Sequence, residues 1–239
     1  TLNVTYVLAA CGSGGEVALA EIAEGVTASL AITNRQASWS AADADIKSVQ
    51  GRLNGTAWFV QDARKVDRLL VSAQTSAGLA LYWVATDATG VTVVPDAIVD
   101  LTRDQAHVRF DNAPALELTA SGLAALQQAM PAIWTLLAAD ITGAAEWQLQ
   151  TTVAYVGTRQ QFDHPLGYFQ AVKHPLVDVM ILIDQCKSLV YNAACAIDTE
   201  PSRAAEFAHM AKASASETAA FASGRSVQYH VRIGFTWES

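Results

Sequence analysis

The chain has 239 residues, just over half of them hydrophobic and only 16% charged, which excludes a disordered chain and allows one large domain or two modest ones. Its formal net charge of -8 repels phosphate backbones, so nucleic acid is not an expected partner. No uninterrupted apolar run is long enough to cross a bilayer and no basic-then-apolar leader opens the chain, so neither a membrane partner nor export is expected.

In chain order, the first candidate motif is "VTYVLAACGSGGEVALAEIAEG", an apolar run, Gly12-Ser13-Gly14 and a helical pattern. Such a turn can bring backbone amides against a pyrophosphate. Here the third glycine position holds Val17, and the next apolar run ends in Asn34 rather than an acidic ribose ligand. A loop between two helices is the expectation.

Short β-rich runs follow: "VTASLAIT", "GRLNGTAWFVQD", "RLLVSAQ", "LALYWVAT", "GVTVVPD" and "AHVRFDN". Gly, Asp and Asn punctuate them at the spacing of a β-sandwich or barrel. From about residue 118 the period changes to three- and four-residue steps in Ala- and Leu-rich sequence, interrupted by Pro131. Two more helical stretches follow, near Phe169 to Asp198 and from Pro201 onward, with Thr199 expected to cap the last helix and Pro201 to sit in its first turn. Pro175 falls in the first turns of the middle helix, where it costs less than at mid-helix. The boundary between the two textures lies near residues 112 to 120. Three long helices make an antiparallel bundle one short of the usual four, whose exposed apolar stripe needs a partner. Cys11, Cys186 and Cys195 lack C-x-x-C spacing, and the latter two read as small hydrophobes in apolar helical surroundings, so a reducing, cytoplasmic setting is expected and no metal site.

The stretch "YVGTRQQFDHPLGYFQAVKHPLVD" carries Tyr155, Arg159, Phe162, Pro165, Phe169, Gln170 and Lys173 in the order Y-x-x-x-R-x-x-F-G-x-P-[IL]-x-x-[FHY]-Q. That pattern resembles the acyl-CoA dehydrogenase family. The closing "QYHVRIGFTWE" is similar to the family's Q-x-H-G-G-x-G-F-T-x-E, and "GRLNGTAWFVQDARKVDRLLVSAQT" to its central hairpin. The resemblance implies a central β-barrel followed by a C-terminal helical bundle: residues 1–25 as the end of an N-terminal helical domain, 26–117 as the barrel, and 118–239 as an incomplete bundle lacking its last helix. It implies FAD as cofactor, an acyl-CoA thioester as substrate, and a homo- or hetero-oligomer of such subunits.

The resemblance also implies site residues. Arg159 matches a position that contacts the FAD pyrophosphate across a subunit interface, a task suited to a permanently charged fork. Phe162, Leu166 and Val172 match apolar positions around the adenosine half, where core packing explains them equally well. Gln170 and Gln228 match polar positions near the cofactor. Thr33 matches a threonine at the isoalloxazine edge, and Phe59 and Gln61 fall where the family has W-I-T facing the flavin.

The departures concentrate at the same places. Val231 and Arg232 replace the family's paired glycines, Asp163 replaces the glycine after Phe162, and "TNRQASWSAAD" keeps the threonine of the family's loop and loses most else. One family position for the catalytic glutamate lies beyond Ser239, and the other falls at Ile133, whereas Glu146 and Asp140 have the wrong offsets. The expected activity is FAD-dependent α,β-dehydrogenation of an acyl-CoA. A base-deficient subunit of a heteromeric enzyme and a flavin-dependent monooxygenase on the same fold are the alternatives, with a purely oligomerising module as a fourth.

Overall fold

The computed structural model describes residues 1–38, 43–100 and 102–236. They form two compact units, Thr1–Met130 and Pro131–Ser239.

The first unit opens with α1 (Leu2–Ala10) and α2 (Glu16–Ala23), joined by a 3-10 turn over Gly12–Gly15. The glycines there serve close packing. A Cβ on Gly14 would stand 1.8 Å from the Leu118 carbonyl oxygen, so only glycine lets the turn lie against that backbone.

Eight strands follow among the described residues: β1 (Ala28–Ala31), β2 (Lys47–Val49), β3 (Arg52–Gln61), β4 (Arg68–Thr75), β5 (Gly78–Ala85), β6 (Val91–Pro95), β7 (Gln105–Pro114) and β8 (Leu116–Thr119). The sheet is mixed, in the order β6-β7-β3-β2-β4-β5-β8, with β1 parallel to β4. Leu53, Ala57 and, past a register shift, Val60 of β3, Val108 and Phe110 of β7, and Tyr82 and Val84 of β5 share one apolar core. Tyr82 is the largest side chain fully buried there, and its hydroxyl donates to Glu117 at 3.0 Å, which removes the cost of burying the polar end.

In the second unit the long helix α3 (Gly122–Thr158), which begins in the first, runs to a two-strand hairpin of β9 (Gln160–Gln161) and β10 (His164–Pro165). Then come α4 (Gln170–Thr199) and α5 (Ala204–His230). Alanines at helical spacing (Ala138, Ala145, Ala193, Ala211, Ala215, Ala222) line the seams, with Val179 and Ile183 filling between them. The pairs Trp134–His209, Gln148–Ser223, Thr152–Ser226 and Tyr155–His230 show that α3 and α5 run parallel in a fixed register.

Three expectations need correction. Thr199 does not cap α5: it ends α4, its hydroxyl turned back onto the Cys195 carbonyl at 2.9 Å, and Pro201 lies in the turn before α5 starts at Ala204. Arg203 holds the capping position instead. Cys195 is exposed rather than packed, while Cys186 is buried with its sulfur 3.2 Å from the Thr218 hydroxyl. By length and composition α3 is apolar enough to cross a membrane, although half of its most apolar window is buried within the protein, as in the core helix of a bundle.

Candidate functional site

The structure groups the candidate residues into two sets, one in each unit. In the sheet, the backbone N–H of Trp58 donates to the carbonyl of Thr33 at 3.0 Å, and the Ser29 hydroxyl donates to the carbonyl of Gln61 at 2.6 Å. These bonds draw Thr33, Phe59 and Gln61 to one edge. Between Ala57 and Val60 the pairing of β3 with β7 breaks: Ala57 faces Val108 and Val60 faces Ala106, so two residues of β3 stand against one of β7. This is a β-bulge, a device that re-aims side chains. Within it Phe59 adopts φ 56° and remains 39% exposed, an unusual conformation for a bulky residue.

Most of the loop after Thr33 is described. The buried Asn34 accepts the N–H groups of Gln36 and Ser38 at 3.1 and 2.9 Å, and a polar cleft of about 520 Å³ opens beside it against Asp43 and Asp45. Trp39 to Ala42 of the same loop lie outside the described residues.

In the bundle, the C-terminal ends of α3 and α5 meet. The rings of Tyr155 and His230 stack at 4.5 Å and 24°, and the Tyr229 hydroxyl donates to the Ala171 carbonyl at 3.2 Å. Arg159, Leu166, Gln170 and Val172, close together in sequence, therefore share one end of the bundle with Gln228, which lies far along the chain. Arg159 follows the last residue of α3, and its carbonyl accepts the Leu166 N–H at 2.8 Å, which closes the hairpin at its base. Its guanidinium makes no ion pair or hydrogen bond among the described residues and stands exposed beside the negative end of a helix dipole. Gln170 is the first residue of α4, behind Phe169, which holds the capping position with no side-chain cap hydrogen bond.

At the hairpin tip, Phe162 and Asp163 both have positive φ, 54° and 61°. Two successive left-handed residues are the signature of the tight turn that usually holds Asn-Gly. Asp tolerates that region, whereas Phe is costly there. Phe162 is 85% exposed, which removes core packing as its explanation. Phe169 packs edge-on against it at 6.2 Å, and His164 stacks on Tyr168 at 4.2 Å, so the hairpin presents an aromatic cluster.

At the C-terminal motif, Val231 takes φ 56° and ψ -125°, a conformation normally reserved for glycine. A valine thus stands in a backbone conformation that glycine adopts without strain, at the place where the resembled motif has its first glycine. Arg232 is exposed, and Trp237 and Glu238 of the same motif lie outside the described residues. Ile133 is fully buried on α3. Glu146 is ion-paired to Lys187 at 2.6 Å, a structural employment for that carboxylate. No group of three or more metal-ligating side chains occurs among the described residues.

An apolar groove of about 500 Å³ runs along the outside of the bundle, lined by Leu149, Val153, Val156, Leu176, Val177 and Met180. It is the unpartnered stripe that the helical periodicity implied. Sequence reading missed Trp58, Asp96 and His107, whose mutual contacts cross three strands and leave no local motif.

Comparison with known proteins bears on the family and the fold. The family described as "Acyl-CoA dehydrogenase, C-terminal domain" matches residues 120–239. Acyl-CoA dehydrogenase IpdE2 of Mycobacterium tuberculosis is 42% identical over 103 residues, covering 43% of this chain and 30% of that protein. Acyl-CoA dehydrogenase FadE34 of the same organism is 33% identical over 149 residues, covering 62% of this chain and 20% of that protein. Among solved structures, a variant of the Tcur3481-Tcur3483 steroid ACAD superposes with a TM-score of 0.82 at 27% identity, covering 95% of this chain and 63% of that one. The chain thus spans less than two thirds of the length of each of these relatives.

Proposed function

The chain belongs to the acyl-CoA dehydrogenase family, and on that premise we propose that it binds FAD and takes part in the α,β-dehydrogenation of an acyl-CoA thioester. The family is FAD-dependent. The observation that carries the reading is the Tyr155–His230 stack, which joins the two cofactor-type motifs at one end of the bundle beside the uncommitted Arg159 guanidinium.

The residues present suit the cofactor. Arg159 offers a fixed cation to a pyrophosphate, and Gln170 and Gln228, both exposed at that end, can donate hydrogen bonds to its polar atoms. In the sheet, Phe59 offers an aromatic face, and Thr33 and Gln61 offer polar groups at the rim of a conjugated ring. The glycine-like backbone at Val231 keeps room along the chain, against the added bulk of its side chain and the carboxylate of Asp163. FAD, when bound, would supply acceptance of the β-hydrogen as hydride. The exposed Phe162 and the apolar groove support assembly with a further subunit, and the free cysteines support a reducing, cytoplasmic setting.

A second reading, a base-deficient subunit working beside a catalytic sister, is favoured by one observation. The position on α3 that matches a family glutamate is Ile133, which is fully buried.

The test is a visible absorption spectrum of the purified protein with the released cofactor identified after denaturation. FAD near one per subunit supports the first reading, FAD near one per two subunits in a mixed assembly supports the second, and no flavin even with a partner present sinks both. The variant Arg159→Ala is expected to weaken FAD binding by roughly tenfold or more, the scale of one charge-assisted phosphate contact. An unchanged dissociation constant removes Arg159 from the site.

A further inference from the structure

The bulge that turns Phe59 outward has one residue opposite it, His107 of β7. The His107 ring stacks on Trp58 at 5.0 Å and 23°, and its Nδ1 lies 2.8 Å from an oxygen of Asp96, just past the end of β6. The Gln105 side-chain amide donates to the other oxygen of Asp96 at 3.2 Å. An ionised carboxylate only accepts hydrogen bonds, so Nδ1 carries the ring proton. The remaining nitrogen, Nε2, is buried and has no hydrogen-bond partner among the described residues. A histidine placed this way is held for its flat face and not for its second nitrogen. The Arg35 guanidinium adds a cation contact to the same Trp58 ring at 5.7 Å. The Trp58 backbone is tied to Thr33, as described above.

We propose that Asp96 and His107 are positioning residues: they clamp the Trp58 ring and so hold the bulge in the one conformation that presents Phe59 to the flat ring of a bound flavin. The inference rests on the FAD reading above for its ligand, and on the bulge alone for its mechanics. The left-handed backbone of Phe59 needs such a clamp. A bulky residue in that region relaxes to an ordinary conformation unless its neighbours over-determine it. Relaxation would return two residues of β3 to regular alternation and swing Phe59 off the edge it shares with Thr33 and Gln61. The contacts of Asp96 and His107 run to Gln105 and to Trp58, so in this proposal their effect reaches Phe59 through the Trp58 ring.

The test uses the full-length protein with His107→Ala, His107→Phe, Asp96→Asn and Phe59→Gly. Hydrogen exchange at the Trp58 amide reads the clamp without any cofactor. It is expected to quicken by roughly tenfold or more in His107→Ala, to quicken less in Asp96→Asn, and to stay near the parent rate in His107→Phe, which keeps a flat ring to stack. Visible circular dichroism of bound FAD reads the presentation of Phe59. The band is expected to change in the same sense in His107→Ala and Phe59→Gly, and to be preserved in His107→Phe. Unchanged Trp58 exchange in His107→Ala overturns the clamp. Altered exchange with a parent-like flavin band, where Phe59→Gly does shift it, overturns the positioning role. If the parent protein binds no FAD, the flavin reading fails and the exchange rates alone decide the clamp.

Discussion

Val231 concentrates the tension between this sequence and its backbone. Its φ of 56° with ψ of -125° sets a β-branched side chain where glycine is at ease, at a cost of about 1–3 kcal/mol. The turn is imposed by its neighbours: the Val231 N–H reaches the Gln228 carbonyl, and the Gly234 N–H reaches that of Val231 at 3.2 Å. Replacement by glycine returns the strain less roughly 0.5–1 kcal/mol of extra chain entropy in the unfolded state. Val231→Gly is therefore expected to raise stability by about 1 kcal/mol and Tm by about 2–4 °C. A calorimetric scan showing a lower Tm would refute the strain. The sequence showed bulk replacing glycine at this position. It could not show that the valine takes a glycine-type backbone conformation, because that depends on hydrogen bonds made by residues on either side.

Among the elements, α2 is fastened to the sheet through one carboxylate. Glu21 accepts from the Trp83 indole N–H at 3.0 Å and from Arg68 at 2.9 Å. The Trp83 hydrogen bond, followed by the Arg68 contacts, outweighs partial burial and holds the Glu21 carboxyl below its ordinary value of 4.5. A depressed carboxylate stabilises the fold fully above the unfolded value and loses that contribution as pH falls through the folded one. The stability gap between the parent protein and Glu21→Gln is thus expected to be constant near neutrality and to close below about pH 4.5, as read by denaturant titration at a series of pH values. A gap that persists undiminished at pH 3 would show that Glu21 acts through shape alone.

The long elements were legible for a physical reason. β3 and β7 alternate over part of their length, β4 and β5 are near-continuous apolar runs bounded by turn residues, and α3 to α5 repeat an apolar stripe over many turns, so apolar patterning marks them. β2 and β8 were not, because three or four residues hold too few alternations and both have mixed burial. The motif around Arg159 exposed the bundle end of the candidate site, since its residues are close in sequence. The bulge at Phe59 was invisible, because its opposing residue lies nearly fifty positions away on β7. Thr199 misled by composition: threonine before proline suits a helix start, yet its hydroxyl found the carbonyl four residues back and closed the preceding helix.

At the scale of the whole molecule, the contacts between α3 and α5 keep one numerical relation along their length. Trp134 meets His209, Gln148 meets Ser223, and Tyr155 meets His230, each about three-quarters of a hundred positions apart. One residue inserted within α5 between Ala211 and Ala222 would rotate all that follows by about 100° and carry His230 away from Tyr155. Such an insertion is expected to abolish the Tyr155–His230 pairing while leaving the Trp134–His209 end paired. The same insertion in the turn at Pro201–Arg203 is expected to leave both ends intact, with Tyr155 and His230 ring-current shifts in NMR spectra as the readout. Loss of the stack in both variants would refute the relation. Between His209 and His230 the bundle thus keeps count: a lineage carrying this chain can respell the outward face of α5, but must keep its small seam residues and can lengthen it only at the loops.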